Sequence, residues 1–177
     1  VRPNLLRIAF TGKICSGKTT LANRVQVLAH THHIAVERLS FGDYAKNVAK
    51  TYFGYDGTKY TGRELIVKID AKMRDIRPDV WVDCMRRKML SSDCHNWVVD
   101  DVQHPNEADM LRSMGFTLFR IDIPESVRIE RLEHTYPDYN SATHQDTELE
   151  PFEVDTVLSH TESGVVAVEN YVTSLVK

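Results

Sequence analysis

Apolar residues along this chain follow two rhythms that alternate from one end to the other. Short runs with little polar interruption, bounded by turn residues, read as buried strands over about 5–10, 34–39, 96–101, 117–123 and 154–158. Between and after them, apolar positions recur every three or four residues. That spacing predicts helices over about 18–30, 43–51, 63–77, 79–90, 105–114, 125–133 and 164–176. The punctuation agrees. Pro105 suits the first turn of a helix and Gly115 the cap that ends it. Pro78 parts two helices because its ring nitrogen has no hydrogen to donate. The stripes Leu65, Ile69, Met73, Ile76 and Trp81, Met85, Met89 read as core faces. Strand and helix in alternation define an α/β class, a five-stranded parallel sheet with helices on both faces.

Two stretches break the rhythm. Residues 52–62 carry three glycines and three tyrosines, and residues 133–150 are polar, with Pro137 among them. In a single domain spanning 1–177, a polar segment as long as the second is either a lid or disordered, and the arginines just before it favour a lid.

The chemistry enters between the first strand and the first helix. Gly12-Lys13-Ile14-Cys15-Ser16-Gly17-Lys18-Thr19 fits Gly-x4-Gly-Lys-Thr, and Thr20 continues into the helix. Successive backbone N–H groups at a helix N-terminus make a nest for anions. Lys18 adds a point charge near the β- and γ-phosphates, and the Thr19 hydroxyl suits Mg²⁺. ATP and Mg²⁺ are therefore the expected ligands. A second motif, Asn96-Trp97-Val98-Val99-Asp100-Asp101, is an apolar strand ending in aspartate, as a metal-orienting carboxylate requires. Strict strand alternation lets only one of the two aspartates face the nucleotide, and the pattern leaves open which.

Composition narrows the partners without naming one. The chain has 177 residues, 42% apolar and 27% charged, with a net charge of −3, so nothing favours general nucleic-acid binding. No apolar run reaches membrane-spanning length, and no membrane partner is expected. Cys15, Cys84 and Cys94 form no Cys-x-x-Cys pair, which suits a reducing, intracellular (cytoplasmic) setting. A switch GTPase is disfavoured because Asp-x-x-Gly and Asn-Lys-x-Asp are both missing. What the chain offers instead is scattered arginine, whose forked donors match phosphate oxygens.

The order of several segments carries a resemblance. Thr61-Gly62-Arg63-Glu64-Leu65, then Pro78-Asp79-Val80-Trp81-Val82, resemble the substrate side of bacteriophage-type deoxynucleoside monophosphate kinases. Val98 to Asp109 is similar to that family's Asp-Val-Arg-Phe-x-Asn-Glu segment, and Arg128-x-x-Arg131 to its lid-proximal arginines. The resemblance implies a three-layer P-loop kinase fold with a lid. It also implies transfer of the γ-phosphoryl of ATP to a deoxynucleoside 5′-monophosphate. By that match Asp101 is preferred to Asp100 beside the metal, together with Thr19, and Lys18, Arg128 and Arg131 act on the transferring phosphate. Asp43, Lys46, Arg63, Trp81, Arg86, Arg87 and Gln103 fall on the acceptor side, and His160 and Thr161 border the donor adenine. Gln103 and His104 depart from the family's Arg-Phe pair, so Arg86 and Arg87 stand as substitutes for the missing cation. The expected partner is a small molecule, and a homodimer is one option for assembly. A small-molecule kinase of the phosphomevalonate or dephospho-coenzyme A type remains an alternative, as does a binding module controlled by nucleotide.

Overall fold

In the computed structural model, which describes residues 5–57, 62–135, 151–159 and 161–175, every expected strand and helix forms. In chain order these are β1 (Arg7–Thr11), α1 (Lys18–Thr31), β2 (Glu37–Leu39), α2 (Gly42–Phe53), α3 (Arg63–Ile76) and α4 (Val80–Leu90). Then follow β3 (Trp97–Val102), α5 (Pro105–Ser113), β4 (Thr117–Ile121), α6 (Glu125–Thr135), β5 (Thr156–Leu158) and α7 (Thr161–Leu175). Residues 58–61 and 136–150, the latter holding most of the expected lid, lie outside the described residues.

The chain divides into two compact units, one of residues 1–38 and 94–177, the other of residues 39–93. The first is built on a sheet of order β2-β3-β1-β4-β5, with β1 parallel to both β3 and β4, and β4 parallel to β5. Central β1 is covered on both sides, which is why it reads as an unbroken apolar run: Ile8, Ala9 and Phe10 are fully buried. Ile8 and Phe10 join Val98, Phe119, Ile121 and Leu158 in a core closed by Leu21, Val25 and Ala29 of α1 and Val168 and Val172 of α7. On β4, α5 packs, and Trp97 stacks on Phe116 with ring centres 6.3 Å apart. β5 starts two residues later than expected because Asp155 takes over a place in the ladder. Its carboxylate accepts from the Leu118 N–H at 2.7 Å, and its own N–H donates to the Leu118 carbonyl at 2.9 Å.

In the second unit, α2 packs on α3 and α3 on α4. The stripe on α4 is core as expected, with Trp81, Met85 and Met89 all buried, and Tyr44 stacks on Trp81 at 6.2 Å. The stripe on α3 is not. Only Ile69 is buried, and Ile76, at the end of the helix, is 81% exposed.

Candidate active site

The loop between β1 and α1 is shaped by residues with unusual backbone angles. Gly12 has φ 144°, and a Cβ there would lie 2.6 Å from the Ile121 carbonyl oxygen, so no larger residue fits. Gly17 takes φ 108° and Cys15, which is not glycine, φ 61°. α1 opens at Gly17 without a side-chain cap, so no side chain competes for the first-turn N–H groups of the anion nest. Ser16 is buried, and its hydroxyl has no hydrogen-bond partner among the described residues.

Lys18 folds along the loop and donates to the carbonyls of Gly12 and Lys13, each at 2.7 Å. Burial pulls its pKa down to about 8, against the opposing charges of Asp101 first and Asp100 second. The ammonium is thus retained at neutral pH but held in a setting where a phosphate oxygen would be welcome.

Both aspartates reach this region because the strand pairing slips. Ala9 pairs with Val99, but Thr11 pairs with Val102, so β3 spends three residues where β1 spends two. Such a bulge breaks strict alternation, so period two no longer decides which aspartate faces the loop. Asp100 is 3% exposed, and its Oδ2 accepts from Thr19 Oγ1 at 2.9 Å and from Arg38 Nη2 at 2.5 Å. Its Oδ1 is buried with no partner among the described residues. Asp101 is half-buried and acts on Lys18 through its charge. The carboxylate that accepts from Thr19 is Asp100, while Asp101 was the one expected beside the metal. Arg38 was not anticipated at all. It lies on the three-residue β2, and only the adjacency of β2 and β3 in the sheet brings it to Asp100.

A cleft of about 470 Å³ opens over the loop, lined by Ile14, Cys15, Gly17, Lys18, Thr19 and Thr20 and by Arg131 and Thr135 of α6. The two arginines of Arg128-x-x-Arg131 part company here. Arg131 lines the cleft. Arg128 is 4% exposed and forked onto Glu125 one turn earlier, with Nε–Oε2 2.9 Å and Nη2–Oε1 2.5 Å. That hydrogen bonding to Arg128 is the main reason the Glu125 carboxyl is held down at about 2, with Lys13 adding its charge. Arg128, expected on the transferring phosphate, is thus a buried partner of Glu125 whose charge is still felt at Lys18.

The oxygen set suits Mg²⁺. The Thr19 hydroxyl and the bare Oδ1 of Asp100 are hard ligands, and among the described residues no group of three His, Cys, Asp or Glu side chains forms a cage. A cation held here would lean on phosphate oxygens and water for its other ligands.

The residues expected beside an acceptor are less gathered. Asp43 and Lys46 pair with each other at 2.8 Å on the surface of α2. Arg63 opens α3, half-buried, and Arg86 and Arg87 are exposed on α4, Arg87 within 3.3 Å of the Cys84 sulfur. Trp81, expected against the acceptor, is 2% exposed and stacks on Tyr44 within its own unit. Gln103 is exposed, and its backbone N–H donates to Glu107 at 2.8 Å, fixing the turn from β3 into α5. Thr161 begins α7, and His160 lies outside the described residues.

A parallel sheet whose central strand runs through Gly-x4-Gly-Lys-Thr into a helix defines a nucleotide-binding protein of the P-loop kinase fold. More narrowly, the chain belongs to the AAA domain family AAA_18, whose model matches residues 8–152. No curated protein matches it. Among solved structures it is similar to the APS kinase of Mycobacterium tuberculosis bound to AMPPNP and APS, at 17% identity and TM-score 0.58 over 98% of both chains. It is also similar to a tunicamycin resistance protein of Deinococcus radiodurans, at 17% identity and TM-score 0.55 over 97% of this chain and 95% of that one. A gluconokinase of Sinorhizobium meliloti aligns at 17% identity and TM-score 0.51, covering 98% of this chain and 94% of its own. At these identities the likeness is one of fold. Among the described residues no helix is long and apolar enough to cross a membrane.

Proposed function

We propose that this chain is a kinase that moves the γ-phosphoryl group of ATP onto the phosphate of a deoxynucleoside 5′-monophosphate, releasing ADP and the diphosphate. The donor half is carried by one observation: loop, Lys18, Thr19 and Arg131 share one cleft, and Thr19 is tied to a buried Asp100. The acceptor half rests on the order of segments from Thr61 to Arg131, which resembles the bacteriophage-type family.

In this reading the loop amides and Lys18 neutralise the triphosphate, while Thr19 and Oδ1 of Asp100 would hold Mg²⁺. When bound, that ion supplies charge neutralisation at the phosphate oxygens. The bond from the β–γ bridging oxygen to the γ-phosphorus breaks, and an oxygen of the acceptor phosphate takes its place. That oxygen is already ionised at neutral pH, so no strong general base is needed. Holding the two anions in line removes on the order of 7–11 kcal/mol of the barrier. Arg131 adds charge where the transferring group carries it. Arg63, Arg86 and Arg87 are the cations offered to the acceptor phosphate, since Gln103 stands where the family has arginine.

The test is an acceptor panel. ADP release from Mg²⁺-ATP is followed with each deoxynucleoside monophosphate, the ribonucleotides, mevalonate phosphate and dephospho-coenzyme A. Rapid turnover with one or two deoxynucleotides is expected. Turnover with mevalonate phosphate or dephospho-coenzyme A alone reassigns the acceptor, and ATP loss indifferent to every acceptor overturns phosphotransfer.

A further inference from the structure

The carboxylate of Asp100 is gripped from one side and bare on the other. Its Oδ2 takes hydrogen bonds from both Thr19 and Arg38, at 2.9 and 2.5 Å, while buried Oδ1 has no partner among the described residues. An ionised carboxylate that is 3% exposed is costly unless a cation compensates it. Arg38 supplies that cation from β2, with a side chain still 37% exposed. Two consequences follow. Because Oδ2 is occupied twice, Oδ1 is the oxygen left to a metal or its bound water. Cations stand beside it, Arg38 paired to Asp100 and Lys18 within reach of the charges of Asp101, Asp100 and Arg128. A divalent cation arriving by itself is opposed by these cations, whereas one arriving on a polyphosphate brings negative charge of its own.

We propose that Arg38 is a positioning residue that makes the cation place at Asp100 conditional on nucleotide: it orients the carboxylate and opposes a divalent ion that comes without phosphates. The inference rests on the nucleotide-binding reading above, but it concerns the nucleotide-free protein and is tested there. Mn²⁺ binding is measured by electron paramagnetic resonance, with and without ADP. The proteins are wild type, Arg38→Gln, Arg38→Met, Arg38→Lys and the double variant Arg38→Gln with Asp100→Asn. Without ADP, the Gln and Met variants should bind Mn²⁺ at least about tenfold more tightly than wild type, the factor that 1.4 kcal/mol represents. Arg38→Lys, which keeps the charge, should stay with the wild type, and the double variant should lose the gain. Unchanged or weaker Mn²⁺ binding in Gln or Met variants with native circular dichroism overturns the proposal. So does a gain that survives Asp100→Asn. If instead wild-type protein takes up no ATP analogue with Mg²⁺ present, the nucleotide reading fails, and the nucleotide-free Mn²⁺ comparison still judges Arg38 separately.

Discussion

The two units of this chain hold their polar chemistry in opposite ways. In the unit of residues 1–38 and 94–177, the site side chains are tied to other elements or to the loop main chain. Asp100 is locked between Thr19 and Arg38, and Lys18 lies on the loop carbonyls. In the unit of residues 39–93, the charged groups pair one turn along their own helices, Asp43 with Lys46 and Arg74 with Asp70, or stand exposed like Arg86. A site tied to the main chain and to other elements is organised when the protein folds. Surface side chains must be ordered when a ligand binds, at about 0.5–1.5 kcal/mol for each rotamer-rich side chain. Substitutions in the first unit should therefore appear in kcat, and those in the second in the KM of the acceptor.

The sharpest contrast is expected from Lys18→Ala. We expect kcat to fall by about 10²–10³-fold, as when one preorganised charge donor is lost, with the circular dichroism unchanged. A normal kcat would take Lys18 out of the chemistry. Next comes Asp100→Asn, which should raise the Mg²⁺ concentration for half-maximal rate by at least about tenfold, equivalent to 1.4 kcal/mol. Asp101→Asn should raise it less, and the opposite order would return the metal-side role to Asp101. Arg63→Ala and Arg86→Ala should raise acceptor KM severalfold at nearly constant kcat. A collapse of kcat in either would erase the distinction between the units.

The smallest effect is that of pH. The Lys18 pKa is lowered, by burial first, to about 8, so the loop ammonium is lost as pH rises through that value. Nucleotide affinity should fall there, and binding should take up a proton, which calorimetry in two buffers of different ionisation enthalpy detects. The stability sign is opposite to that of a paired lysine. The unfolded chain keeps this proton to about pH 10.5. The folded chain releases it first, so the contribution of Lys18 to stability rises between pH 8 and 10.5.

Strands and helices were legible because burial on two faces and burial on one leave different periods in the sequence. The loop was legible because its glycines and Lys18 are fixed by spacing alone. What the pattern does not carry are matters of register and reach. Period two assigns Asp100 and Asp101 to opposite faces, and no pattern announces the extra residue that β3 spends against β1. Arg38 meets Asp100 across 62 residues of chain, a contact set by strand order rather than by any local motif. Arg128 and Arg131 look alike in sequence, but Glu125 sits one turn before Arg128 and captures it. On α3 the apolar period continues to Ile76, beyond the point where neighbouring helices cover it.

Gly12 gives the loop a fixed height. Its main chain lies so near the Ile121 carbonyl that even a methyl group would have to come within 2.6 Å of it. The floor of the cleft is thereby gauged against the last residue of β4, and neither can slide without parting from the other. Since β4 leads into α6, which carries Arg131, one rigid datum sets both the bed for a phosphate chain and the root of the arm above it.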